Sequence, residues 1–162
     1  ANLKERAMDT PASCSLPAAS QAMSPNPPAE AVKEMLCGCK VVAVVGLSPD
    51  FSRDSHRVAA YMQDHGYRII PVNPKAERIL GQQCYPDLAA IPEPVDVVDV
   101  FRASQHTPAI AREAAAIGAK CLWLQLGVRN EQSAAHARAC GLMVVQDKCL
   151  KVEHHRLLGA QS

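Results

Sequence analysis

Val41-Val42-Ala43-Val44-Val45 runs directly into Gly46. A run of small or β-branched apolar residues this short, halted by glycine, suits a central parallel strand buried on both faces. Four further apolar runs open near residues 67, 95, 120 and 142. Helical periodicity or an irregular excursion fills each interval. This alternation predicts an α/β fold: a Rossmann-like doubly wound parallel sheet of about five strands, with helices on both faces. The usual winding gives strand order 3-2-1-4-5, with a crevice between the first and fourth strands. The loops after Gly46, Phe101 and Gly127 would converge there.

The segments between strands carry start and stop signals. Asn26 reads as an N-cap with Pro27 at N1, ahead of Val32, Met35 and Leu36. Asp54 or Ser55 would cap a second helix whose apolar face is Val58, Ala59 and Met62. Lys75–Tyr85 reads as an excursion turning at Gly81. Ser104 or Thr107, followed by Pro108, opens a third helix. Asn130 caps an Ala-rich helix ending at Cys140, and a last helix covers about Leu150–Leu158.

Residues 1–28 hold five of the twelve prolines and neither glycine nor aromatic. Without an apolar stripe they are expected to form a disordered or loosely attached tail, with the domain spanning 29–162. Met23 is a candidate native start. Formal net charge is +1 and Lys and Arg are not clustered, which disfavours nucleic acid as a partner. No apolar run reaches the roughly 18 residues of a membrane span. Seven scattered cysteines, an odd number, suggest a reducing, cytoplasmic compartment. Cys37-Gly38-Cys39 is too close-spaced for a zinc half-site, and no metal set is expected.

A dinucleotide fingerprint G-x-G-x-x-G would fall on Gly46-Leu47-Ser48-Pro49-Asp50-Phe51, where only the first glycine is present. Gly46 still permits a tight turn, Ser48 offers a hydroxyl, and Arg53 with the N-terminus of the next helix, near Ser55, can hold phosphate. The second strand ends Val72-Asn73-Pro74-Lys75, without the acid that NAD requires for its ribose diol. A cation there suits a nucleotide with an additional phosphate near its ribose, either coenzyme A or NADP.

Together, Gly46-Leu47-Ser48, Arg53, Pro71-Val72-Asn73-Pro74, Gly81, Val95–Arg102, Lys120, Trp123–Val128, and Cys149 with Lys151 and Glu153 resemble the stand-alone CoA-binding domain proteins. These are similar to the N-terminal CoA-binding domain of the succinyl-CoA synthetase α subunit. The resemblance runs from about Val41 to His154. It implies coenzyme A, or a short acyl-CoA, bound across the carboxyl ends of the strands. By position, Gly46, Leu47, Ser48 and Ser55 would line the phosphate turn, and Arg53 and Lys75 would meet phosphates. Val72, Asn73 and Pro74 would lie against the adenosine. Phe101, Arg102, Gln125 and Gly127 would flank the pantetheine. The second domain of the synthetases, with its phosphohistidine, has no counterpart here, so ligase activity does not transfer.

No catalytic constellation emerges. Asp96 and Asp99, three apart on a strand, point to opposite faces. His136 and Cys140 stand at i, i+4 without further ligands, and Cys149 reads as packing as readily as a thiol beside a ligand. No nucleophile–base–orienter set is found. The expectation is therefore a binding module for a small molecule, with a protein partner or homo-oligomer also possible. The alternatives are an NADP-linked oxidoreductase fragment and a regulatory, partner-binding subunit with a metabolite-sensing pocket.

Overall fold

The structure, a computed structural model, describes residues 25–159. A five-stranded parallel sheet is formed by β1 (Val41–Val45), β2 (Arg68–Val72), β5 (Val97–Val100), β6 (Cys121–Leu124) and β7 (Met143–Val145). A small antiparallel hairpin, β3 (Arg78–Ile79) and β4 (Gln82–Gln83), forms a separate sheet beside β2, with Arg68 donating to the Gln82 side chain at 3.1 Å. The expected strands all form, and the fold is the expected doubly wound α/β sheet.

The order is β2-β1-β5-β6-β7. Counting the five long strands alone, this is 2-1-3-4-5, not the 3-2-1-4-5 expected from the sequence. Pro71 supplies the physical reason. The Arg68 amide donates to Lys40 at the start of β1, so by alternation the Pro71 nitrogen faces away from β1. A nitrogen without hydrogen cannot join a ladder on that side, which keeps β2 at an edge. Instead, Tyr85 covers that edge: its N–H donates to the Pro71 carbonyl at 3.0 Å and its carbonyl accepts from Asn73 N–H at 2.9 Å. The chain then returns across β1 and enters β5 on its other side.

Among the described residues, five helices cover the sheet. Three lie on one face: α1 (Ala29–Gly38), α2 (Asp54–Asp64) and α5 (Leu150–Leu158). They bury Leu36, Val58, Met62 and Leu150 against Val42, Val44, Val97 and Trp123. The other face takes α3 (Thr107–Ala116), α4 (Glu131–Ala139) and a short turn at Leu88–Ala90. Here Ile110, Ala114 and Ala134 pack on Ala43, Val98, Leu122 and Val144. The switch from leftward to rightward winding falls between β1 and β5. The crevice expected between the first and fourth strands opens there instead.

Two caps differ from expectation. Asn26 does not cap α1. Its side-chain amide donates to the Gln146 carbonyl at 2.9 Å and accepts the Gln146 N–H at 2.7 Å, tying the chain to the end of β7. Of the expected tail, residues 1–24 lie outside the described residues. For α2 the cap is Arg53, and no side chain serves it. Asn130 does cap α4, accepting the Ser133 amide at 2.8 Å. Among the described residues the cysteines are all free thiols, and no helix is long and apolar enough to cross a membrane.

Candidate functional site

The sharp turn out of β1 begins at Gly46, with φ of +88°, a conformation open to glycine. The loop folds back on the helix it feeds. The Ser48 amide donates to Ser55 Oγ at 3.0 Å, and Ser48 Oγ accepts the Asp50 amide at 3.0 Å. Asn73, following β2, donates from Nδ2 to the Leu47 carbonyl at 2.9 Å and steadies the loop from the side. The N-terminus of α2, lacking a side-chain cap, presents its first-turn amides here. A hollow of about 370 Å³ lies against these groups, bordered by Gly46, Ser48, Arg53, Ser55 and Phe101. Arg53 is exposed, and its guanidinium forms no hydrogen bond among the described residues.

A second hollow, about 570 Å³, shares Asp54 and Phe101 with the first and lies alongside it. Its walls come from α2 through Arg57 and Val58, from the loop after β5 through Arg102, from the turn after β6, and from the start of α5. Asp54 stands between the two hollows, paired with Arg57 one turn on. The far wall is held rigidly. Gln125 is buried and its Oε1 accepts the Leu150 amide at 3.0 Å, which fixes the start of α5 to the end of β6. Further along α5, His154 Nδ1 lies 2.9 Å from the Tyr61 hydroxyl of α2.

One layer inward on the same face of β5, Asp99 is fully buried between Val44 and Trp123 on the neighbouring strands. Among the described residues neither carboxylate oxygen has a hydrogen-bond partner. Burial pushes this carboxyl well above its ordinary range, favouring its protonated form. Asp96 serves the other end of the strand. Its Oδ2 accepts the Lys40 and Val41 amides at 2.8 and 3.0 Å, and Lys120 lies 3.4 Å from Oδ1. The two carboxylates do not meet. His136 and Cys140 approach to 3.8 Å on the exposed side of α4. No group of three potential metal ligands occurs among the described residues.

Of the residues expected at a ligand site, Gly46, Ser48, Arg53, Ser55 and Phe101 border the first hollow, and Phe101, Arg102, Gln125 and Gly127 the second. Leu47 is wholly buried in the core beneath the loop, and Val72 packs under the opposite face. Asn73 is engaged with Leu47, while Pro74 and Lys75 are exposed beyond it, and none of the three lines either hollow. Sequence reasoning missed Asp54, Arg57 and Val58, although their i, i+3, i+4 spacing at the start of α2 puts them on one helical face beside the loop. It also missed Leu126 and Val152. Cys149 and Lys151, part of the family resemblance, line the second hollow.

The profile of the CoA binding domain family matches residues 40–155, most of the chain. The protein belongs to this family. YneT of Bacillus subtilis is 42% identical over 129 residues, spanning 80% of this chain and 96% of that protein. An ADP-forming acetate–CoA ligase of Archaeoglobus fulgidus is 32% identical over 83 residues, covering 50% of this chain but 12% of the ligase. The solved structure of a hypothetical protein from Pyrococcus horikoshii superposes with a TM-score of 0.80 at 37% identity, covering 85% of this chain and 99% of that one. Membership in the family agrees with the switch-point location of the two hollows, the usual place for nucleotide ligands in open α/β sheets.

Proposed function

We propose that the chain binds coenzyme A or a short acyl-CoA as a small module, without carrying a chemical step of its own. The observation behind this is the adjacency of two unlike hollows at the switch point. One offers the N-terminus of α2, without a side-chain cap, together with the cation Arg53, which suits a pyrophosphate. The other is larger and partly apolar, which suits a pantetheine arm running past Phe101 and Arg102 toward Gln125 and Cys149. Ser48 and Ser55 shape the phosphate loop. Asn73 supports it from behind by holding the Leu47 carbonyl. Lys75, exposed beyond Asn73, would reach a phosphate on the ribose rather than the pyrophosphate. The reading also implies a reducing, cytoplasmic setting, in keeping with the free thiols.

Thermal unfolding with added nucleotides tests the proposal. A ligand at 100 times its dissociation constant adds about 2.7 kcal/mol, which shifts a melting curve visibly. CoA should stabilise and NAD at the same concentration should not. Dephospho-CoA should stabilise less than CoA, and Lys75→Ala should close that gap. Stabilisation by NADP and none by CoA would reject the proposal in favour of an oxidoreductase fragment.

A further inference from the structure

Among the described residues, the exposed large hydrophobic side chains are Phe51, Leu126 and Val152. All three belong to segments that frame the site, and Leu126 and Val152 line the larger hollow while remaining 71% and 55% exposed. Single exposed apolar residues need no explanation, but a cluster at the mouth of a cavity marks a surface that something apolar covers.

The turn carrying Leu126 is built to hold that side chain in place. Val128 N–H donates to the Gln125 carbonyl at 2.8 Å, closing a four-residue turn with Gly127 at φ +86° in its third position. Asp147 locks it: Oδ1 accepts the Gly127 amide at 2.7 Å, and its own N–H donates to the Val128 carbonyl at 3.1 Å. Asp147 itself takes a left-handed conformation, φ +59°, uncommon for a residue with a side chain. Leu126 at the second position contributes nothing to the core, yet its backbone is fixed more firmly than an ordinary surface turn requires. Val152 faces the same hollow from the first turn of α5, which Gln125 anchors through Leu150. Val58 and Val128 extend the apolar wall inward.

We infer that this end of the hollow receives an apolar acyl chain longer than acetyl, so that the ligand is an acyl-CoA rather than free CoA. This rests on the CoA reading above and adds to it the class of group on the sulfur. With the phosphates at the Gly46–Ser55 end, a ligand passing Phe101 brings its thioester to the other end of the larger hollow. There Leu126 and Val152 offer apolar surface that free CoA, ending in a thiol, would leave wet. Each methylene buried in such a place raises affinity about fourfold.

Titration calorimetry on the full chain with CoA, acetyl-CoA, butyryl-CoA and hexanoyl-CoA tests this. Affinity should climb by about three- to fourfold per added methylene before levelling. The double variant Leu126→Ser, Val152→Ser alters two exposed side chains, so it should fold, and relative to its own affinity for free CoA the gain with chain length should flatten. Equal affinity for all four ligands, or a chain-length gain that survives in the double variant, would overturn the inference while leaving CoA binding intact. Absence of binding by any of the four would instead reject the CoA reading on which it rests. A dimer in sedimentation velocity that the double variant breaks, together with no chain-length dependence, would assign the apolar rim to a second copy of the chain and likewise overturn it.

Discussion

A methyl group on Gly46 would stand 2.7 Å from the carbonyl oxygen of Phe101. The turn leaving β1 and the end of β5 approach backbone to backbone, and both residues border the smaller hollow. Gly46→Ala therefore meets two penalties, a left-handed φ and a collision with backbone that cannot rotate away. Each is worth about 1–3 kcal/mol. Chemical denaturation should show a loss of roughly 2–6 kcal/mol, and CoA should no longer stabilise the folded remainder. A variant that melts and binds like the parent would mean the two strand ends are not in contact.

Arg53 contributes to the ligand and not to the core, because it is exposed and its guanidinium bonds no described residue. A charge-assisted hydrogen bond is worth about 1.5–3 kcal/mol. Arg53→Ala should thus weaken CoA binding roughly tenfold or more in calorimetry, with the melting temperature of the free protein unchanged. Unaltered affinity would remove Arg53 from the phosphate site.

Asp99 makes stability depend on pH. In the unfolded chain its carboxyl ionises near the ordinary value of about 4. In the folded chain burial keeps it protonated to considerably higher pH. The folded state then holds a proton that the unfolded state has released, so this group's contribution is greatest below about pH 4 and falls as pH rises toward the folded pKa. Asp99→Asn has no proton to lose. Its denaturation midpoints should decline less steeply than those of the parent as pH rises above about 4. Parallel curves for the two proteins would show that Asp99 is ionised in the fold.

Asn26 reaches Gln146 across 120 positions of chain with both ends of its amide. Asn26→Ala would strip a donor and an acceptor from the backbone of a buried residue. A loss of about 1–3 kcal/mol is expected, measurable in urea. A change within about 0.5 kcal/mol, the range of ordinary surface substitutions, would mean that water replaces the amide without cost.

The sequence made the elements legible because each is written locally. Gly46, Asn130 and the bounds Leu150–Leu158 rest on neighbours within a few residues, and the structure agrees with them. Strand order is not local. The pattern of apolar runs is the same whether β5 joins the sheet beside β2 or beside β1, and only Pro71, a proline inside a strand, indicated which. The same limit explains Asn26 and Asn73. Both lie where local rules suggest a cap or a turn: Asn26 bonds a distant segment instead, and Asn73 makes the local turn, its Oδ1 accepting the Lys75 amide at 2.8 Å, yet also reaches the Leu47 carbonyl. The smaller hollow was readable because it gathers around one loop. The larger one assembles Val58, Leu126 and Val152 from three elements that meet only after the crossovers are made.

Pro71 has a consequence for life in a crowded solution. A parallel sheet exposes backbone along its outermost strands, and such rims invite strands from other molecules to add on, the first step toward fibres. On the β2 side the outward-facing nitrogen has no hydrogen to offer, and the neighbouring carbonyl is already taken by Tyr85 at 3.0 Å. A newcomer would find a missing donor and an occupied acceptor at the fourth residue of a five-residue strand. The residue that fixes the order of the sheet also makes that rim a poor template for aggregation.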